Sequence, residues 1–286
     1  MSKLRIAVQT KGRLFEDSMN LIGEAGIKFS DSGKRKLLTS ARNFPMEALY
    51  LRDDDIPQAV ADGVADVGIV GENEVLEKKQ NITIVKRLGF SKCRLSLAIP
   101  KSEDYTDIAY FNGKKIATSY PVILQDWLNA NNIKASIHVI TGSVEIAPGI
   151  NLADAIFDIV SSGSTLVSNG LKEVEIVTES EALLIATPQL STEKQNILDE
   201  LIFRMEAVQR AEGKKYIMLN VLREKLTEIS SILPGMKSPT VTPLAEEGWC
   251  SVQSVVDDKS FWHCIGKLKE AGAQNIIVLP IEKMIL

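Results

Sequence analysis

The sequence predicts an α/β protein built as two lobes, followed by a C-terminal unit of strand, helix, strand, strand, helix, strand. Three observations carry that expectation. Short apolar runs alternate with segments of helical period through the first 213 residues. The rhythm restarts near residue 104, as a second and smaller lobe would require. From residue 214 the order changes to βαββαβ, the split-βαβ or ferredoxin-like pattern. A chain of 286 residues with 45% hydrophobic content is long enough for several cores.

Taken in order, "LRIAVQT" (4–10) reads as a strand. "RLFEDSMNLIGEAG" (13–26) reads as a helix, with Leu14, Met19, Ile22 and Ala25 on one face and Gly26 just past its end. "MEALYL" (46–51) is a strand, and "DDDIPQAVADG" (53–63) a helix with Asp53 the expected cap and an early Pro. "ADVGIVG" (65–71) is a buried strand, and the β-α-β rhythm argues a mostly parallel sheet. In the second lobe, "KKIATSY" (114–120), "SIHVI" (136–140) and "AIFDIV" (155–160) are strands. "PVILQDWLNANN" (121–132) and the short "TLVSNGL" are helices. "EVEIVTES" (173–180) and "EALLIATP" (181–188) lead back to lobe one, and "TEKQNILDELIFRMEAVQRAEG" (192–213) is a long amphipathic helix. The expected boundaries are therefore 1–103 with 182–213 for lobe one, 104–181 for lobe two and 214–286 for the tail. The tail comprises strands at 214–221, 239–244, 249–256 and 274–281, with helices at 222–233 and 259–272. Its size of about 70 residues suits a small regulatory or dimerising module.

Charge narrows the function classes. The net charge is −4 with the two signs interspersed, and no Lys/Arg block marks a nucleic-acid or anionic-membrane surface. The sequence holds no apolar run of about 18 residues, so no spanning helix is expected. "MSKLRIAVQTKGRL" lacks the apolar stretch and cleavage site of a signal peptide. Cys93, Cys250 and Cys264 are odd in number and far apart, which reads as reduced thiols in a cytoplasm. The two histidines, His138 and His263, are read as surface and packing residues, so a Ser-His-Asp or Cys-His site is not expected. Trp262 is read with His263 as core or interface packing.

The unusual chemistry lies in "DAIFDIVSSGSTL" (154–166). A strand ending at Val160 turns through Ser161, Ser162, Gly163, Ser164 and Thr165 into a helix. Such a junction gathers unpaired N–H donors, and small hydroxylated residues add more. Asp158 stands two residues before that loop. A carboxylate beside a phosphate repels it, but it accepts hydrogen bonds from a diol. The combination reads either as a ribose 5-phosphate clamp or as a Ser/Thr-rich turn beside a solvated Asp.

From Glu145 through Leu166, "EIAPGINLADAIFDIVSSGSTL" resembles the signature of the ATP phosphoribosyltransferase family, which acts first in histidine biosynthesis. The family usually has Gly where this chain has Asn151, and more often Thr at the place of Ser162. Asn tolerates the left-handed conformation, and Ser keeps the hydroxyl. "KGRL", "LRDDDIP", "DVGIVGENEVL", "CRLSLA", "IATSYP", "KYIMLNV" and "VLPIEKM" resemble further family stretches in family order, so the likeness runs the length of the chain. The tail marks the family's long form.

That resemblance implies periplasmic-binding-protein-like lobes with the substrates in the cleft, and an ACT-like tail. It implies that N1 of ATP attacks C1 of phosphoribosyl pyrophosphate, with Mg²⁺ carried on the leaving pyrophosphate. Charge then builds on the leaving group, and the nucleophile is a neutral ring nitrogen. Fixed cations and positioning should therefore outweigh general-base work. Asp158, Ser161, Ser162, Gly163, Ser164 and Thr165 are implied to bind phosphoribosyl pyrophosphate. Gly12, Arg13, Gly71, Glu72, Tyr120 and Glu145 are implied on the ATP and pyrophosphate side, with Tyr120 a possible stacking partner for adenine. Lys11, Arg35 and Arg52 are the implied catalytic cations. "TKGRL" follows the first strand, where open α/β sheets bind ligands, although Lys11 and Arg13 also suit a solvated helix start. Arg52 equally suits a salt bridge to the Asp53–Asp55 run, which is assigned no metal. Long-form relatives imply a hexamer in equilibrium with dimers, histidine as inhibitor near Asn220 and Thr240, and AMP as a further ligand. The alternative is a two-lobed solute-binding sensor without catalysis.

Overall fold

The computed structural model describes residues 2–29, 37–233 and 238–286. Its described residues fall into two compact units. One runs to Asn20 and over Ile27–Leu198; the other comprises Leu21–Gly26 and Asp199–Leu286.

The first unit contains two sheets. The lobe I elements are β1 (Leu4–Gln9), α1 (Arg13–Glu24), β2 (Leu38–Ser40), β3 (Met46–Leu51), α2 (Ile56–Ala61), β4 (Val67–Gly71), α3 (Glu72–Lys78) and β5 (Thr83–Arg87). Lobe II follows with β6 (Cys93–Pro100), β7 (Lys115–Thr118), α4 (Pro121–Ala130), β8 (Ser136–Val139), β9 (Ala155–Val160), α5 (Ser164–Ser168) and β10 (Leu171–Ser180). The chain then returns as β11 (Ala182–Ala186), and α6 (Thr192–Ala211) begins in this unit and continues into the second.

Lobe I has strand order β2-β3-β1-β4-β11-β5, and lobe II has β10-β6-β9-β7-β8. Both sheets are mixed, which corrects the expectation of a mostly parallel sheet. β1 runs parallel to β3 and β4, but β11 is antiparallel to β4 and β5. In lobe II, β7 runs parallel to β8 and β9, while β6 is antiparallel to β9 and β10. The cause is the double crossover. β5 leads into β6 and β10 into β11, and the strand entered after each crossover, β6 in lobe II and β11 in lobe I, runs against its neighbours. This is a two-lobed arrangement in which the chain crosses between the lobes twice.

The cores follow the apolar runs. Val67, Ile69 and Val70 of β4 are fully buried at the centre of sheet I, as expected of a strand covered on both faces. Lobe II packs Leu95, Leu97, Phe111, Ile116, Leu124 and Phe157 into one cluster. The Asp53–Asp55 run forms a 3-10 turn ahead of α2, with Arg52 at its cap position and no side-chain cap bond. Asp55 precedes α2 and also makes none. Asp53 is therefore inside the turn and does not cap the helix, a correction that follows from the tighter first turn.

The second unit carries β12 (Lys214–Leu222), α7 (Leu226–Ile232), β13 (Thr240–Pro243), β14 (Trp249–Asp257), α8 (Asp258–Glu270) and β15 (Gln274–Pro280). Its antiparallel sheet has the order β13-β14-β12-β15, as a ferredoxin-like βαββαβ fold requires. Ile217, Leu219, Val221, Val252, Ile229 and Leu268 form the core beneath α7 and α8. Phe261 and Cys264 face that core, whereas Trp262 is 72% exposed and His263 is also exposed. Core packing for those two is thus overturned by the helical period. Among the described residues, no helix is long and apolar enough to cross a membrane.

Candidate active site

The Ser161–Thr165 loop follows the C-terminal end of β9, in lobe II. Ala155, Ile156 and Phe157 are buried, and the strand surfaces at Asp158. Gly163 takes φ +79 at the start of α5, a left-handed turn that a side chain would strain. Ser161, Ser162, Ser164 and Thr165 stand exposed around it. Ser162 and Ser164 share a hydroxyl–hydroxyl bond of 2.9 Å. The loop is thus preorganised, with its oxygens turned toward solvent.

Lobe I brings cations to the same place. Gly12 closes the turn after β1, and its carbonyl accepts the Glu16 N–H at 3.1 Å as α1 begins. Arg13 opens α1 and reaches across 148 residues of sequence, its Nη1 donating to Ser161 Oγ at 3.4 Å. Its Nη2 donates to the Lys92 carbonyl at 3.1 Å. From β6, Arg94 donates to the Ser161 carbonyl at 3.2 Å and grips Glu173 with two bonds of 2.5 Å. Ser96 donates to the same carboxylate at 2.6 Å, and Arg94 holds the Glu173 carboxyl below its ordinary value. A pocket of about 330 Å³ opens beside the loop, lined by Arg87, Lys92, Cys93, Arg94, Ser161 and Glu181 among others.

Glu72 also lines that pocket but is committed to Arg87, which donates to it and to Glu181 at 3.1 Å. Gly71 is required by close approach: a Cβ there would collide with Asn73 Oδ1.

The two lobes also meet through buried polar groups. Asn73 and Glu74 of α3 are 6% and 5% exposed. Asn73 Nδ2 donates to Glu74 at 3.0 Å and to the Tyr120 hydroxyl at 3.2 Å. Ser180, at the end of β10, donates to Asn73 Oδ1 at 2.9 Å. Burial pushes the Glu74 carboxyl up to about 7, with Asp53 adding to the shift. Burial, then Glu74 and Asp158, pushes the Tyr120 phenol upward. The Tyr120 ring is 8% exposed and packed in the lobe II core, so it offers no open face to an adenine ring. Asp158 is pushed up to about 6 by burial and by Glu145, against the Ile159 N–H bond at 2.8 Å.

The structure therefore gathers Arg13, Asp158, Glu145 and the Ser161–Thr165 loop. The remaining implied cations are Lys11, Arg52 and Arg35. Lys11 is exposed, with no ion-pair partner among the described residues. Arg52 is committed to Asp54 at 3.1 Å, the salt bridge named as its alternative role. Arg35 lies outside the described residues. Asn151 takes φ +57, so it does occupy the left-handed turn where the family has Gly. Arg94, Glu173, Asn73, Glu74 and Ser180 were missed as site residues. For Arg94 a signal existed: Arg94 and Ser96 alternate on one face of "CRLSLA".

A hydroxyl-rich loop on one lobe, a guanidinium facing it from the other and a ferredoxin-like tail define a class: a two-lobed α/β core with an attached small domain. Comparisons make the class particular. A family model described as ATP phosphoribosyltransferase matches residues 52–207, and one described as the HisG C-terminal domain matches 211–283. An ATP phosphoribosyltransferase of Bacteroides thetaiotaomicron is 66% identical over 283 residues, covering 99% of this chain and 100% of the relative. One of Phocaeicola vulgatus is 67% identical, with the same coverage. A solved ATP phosphoribosyl transferase (HisG:HisZ) complex from Thermotoga maritima aligns with a TM-score of 0.61 at 27% identity, over 71% of this chain and 98% of that one. The chain belongs to the ATP phosphoribosyltransferase family, and its C-terminal domain marks the long form. It is a transferase, and the non-catalytic sensor reading is set aside.

Proposed function

We propose that this chain joins N1 of ATP to C1 of phosphoribosyl pyrophosphate and releases pyrophosphate, with residues 158–165 as the phosphoribosyl site. The observation that carries the placement is Arg13 bonded to Ser161 across the cleft. A guanidinium held against a loop of exposed hydroxyls suits a bound phosphate. Asp158 accepts the ribose hydroxyls, Ser161–Thr165 hold the 5-phosphate, and Arg13 and Gly12 face the pyrophosphate. Lys11, Arg35 and Arg52 serve as further cations on that side. Gly71, Glu72 and Glu145 border the ATP side, with Tyr120 packed beneath it.

No group of three or more His, Cys, Asp or Glu gathers for a metal among the described residues. In this reading Mg²⁺ arrives on the pyrophosphate of the substrate, since Mg²⁺ is usually held by substrate phosphates and few carboxylates. The chain's own residues bind, orient and exclude water; the neutral ring nitrogen needs no strong base.

Two features support histidine as an effector at the open face of the tail sheet. Asn220 pairs across the strands with Ser251, and Thr240 with Gln253, placing all four on one face. Ser251 is 5% exposed, and its hydroxyl has no hydrogen-bond partner among the described residues. A buried hydroxyl without a partner is costly, and a rearrangement of this face that gave it one would be favoured. A hexamer–dimer equilibrium, a cytoplasmic setting for the three free thiols, and AMP as a competing nucleotide complete the reading. Its domains would be 1–103 with 182–213, 104–181 and 214–286.

The test is turnover. Incubation with ATP, phosphoribosyl pyrophosphate and Mg²⁺ should change adenine absorbance and release pyrophosphate in equal amounts. No product at high enzyme concentration would sink the proposal.

A further inference from the structure

The N-terminus of α4 lacks a cap of its own. Tyr120 precedes the helix and makes no side-chain cap bond, and Pro121 has no N–H. The next two N–H groups, of Val122 and Ile123, would therefore be orphaned. Both are taken by one carboxylate from the other lobe. Val122 N–H donates to Glu77 Oε1 and Ile123 N–H to Glu77 Oε2, each at 3.0 Å. Glu77 sits on α3 of lobe I and is 8% exposed. A buried carboxylate at the positive end of a helix, with an N–H on each oxygen, is a strong contact.

Glu77 is not alone on that face. Asn73, Glu74 and Glu77 are three and four residues apart, so they share one side of α3. Asn73 and Glu74 hold the Tyr120 hydroxyl, one residue before α4. Beyond Glu77, Lys79 meets Asp126 at 2.6 Å on the solvent edge. Tyr120 follows β7, which pairs with β9, the strand that carries Asp158. Tyr120 also lies near enough to Asp158 for that carboxylate to raise its phenol.

The geometry points to Glu77 as a positioning residue for the reaction: it latches α4 to lobe I, which fixes Tyr120 beside the Asp158 end of the phosphoribosyl site. It touches no substrate and acts through α4. This rests on the reading of residues 158–165 as that site. If only the latched form binds, weakening the latch lowers the competent fraction, and the apparent affinity falls by the same factor. Saturating substrate pulls the latch closed again, so kcat survives.

The test joins kinetics with amide exchange in the full chain. In Glu77→Gln, one oxygen is replaced by an NH2 that faces an N–H. KM for phosphoribosyl pyrophosphate should rise about tenfold or more while kcat stays within about threefold. Exchange at the Val122 and Ile123 amides should quicken, and saturating phosphoribosyl pyrophosphate should slow it again. Glu77→Asp, which keeps the charge, should fall between. Lys79→Met should leave KM unchanged, because its exposed pair contributes little. An unchanged KM in a folded Glu77→Gln, or a loss of kcat alone, overturns the proposal. If that variant does not fold, wild-type exchange decides: Val122 and Ile123 should slow on adding phosphoribosyl pyrophosphate, and no change is fatal. The exchange of the substrate-free protein reads the latch independently of turnover, so failure of the latch and failure of the assigned reaction are separable.

Discussion

Arg13 and Ser161, on opposite lobes, meet at 3.4 Å between guanidinium and hydroxyl. The contact ties the first helix to the loop after β9, and its geometry leaves other donors of Arg13 for a ligand. Replacing Arg13 by Ala should raise KM for phosphoribosyl pyrophosphate about tenfold or more, the usual scale for a lost charged hydrogen bond. Arg13→Lys should recover only part, since an ammonium lacks the forked donor set. Steady-state kinetics at fixed ATP reads both.

Asp158 sets function against stability. Its carboxyl is raised to about 6 from 3.8. A raised folded value means the charged form is disfavoured by folding. The contribution of this group to stability is therefore fullest below about pH 4, is lost as pH rises to about 6 and levels off above that. Asp158→Asn removes that penalty, so its Tm at pH 7 should exceed wild type. The same variant should bind phosphoribosyl pyrophosphate poorly, because the amide accepts fewer hydrogen bonds from a diol. A lower Tm together with unchanged affinity would refute the ribose role.

Glu74 makes the sharper pH prediction. Its folded value is about 7, above the ordinary 4.5, and it is 5% exposed. Its protonated form is the better folded one, so its contribution to stability should fall between pH 4.5 and 7 and level off above that range. The upper bound on that loss is about 3 kcal/mol. Glu74→Gln should flatten this slope and match wild type near pH 4. Denaturant titrations at several pH values measure the difference.

Ser251 should report on the effector. Ser251→Ala removes a buried hydroxyl without a partner, and should stabilise the tail by about 1 kcal/mol. It should also weaken histidine inhibition while leaving uninhibited turnover intact. Asn220→Ala should weaken inhibition as well. Inhibition curves for the two variants, set beside wild type, decide whether this face holds histidine.

The sequence was most legible where one signal dominated. "AIFDIV" ends in the loop it was expected to end in, because a buried apolar strand and a run of small residues are both local features. The tail's βαββαβ order was equally plain, each strand being bounded by turn residues. Less legible was what long-range pairing decides. β6 and β11 enter their sheets reversed because the chain crosses between lobes, and no local period encodes that. The same holds for the site. Arg94 and Glu173 lie 79 residues apart and meet diagonally across the neighbouring strands β6 and β10. Asn73 and Glu74 looked like an ordinary helix start, yet they are buried against the other lobe. Arg52, in contrast, turned to its near neighbour Asp54, as local charge alone suggested.

The two crossovers have a mechanical consequence. Leu88 N–H donates to the Ala182 carbonyl at 2.9 Å, and Ala182 N–H donates to the Phe90 carbonyl at 3.0 Å. The Glu72 N–H, at the head of α3, donates to the Glu181 carbonyl at 2.9 Å. The strands passing between the lobes are thus laced to each other and to a helix of lobe I. Neither can bend without carrying the other, so the lobes share a single stiff axle instead of two loose tethers, and torque applied at one connection is felt at both.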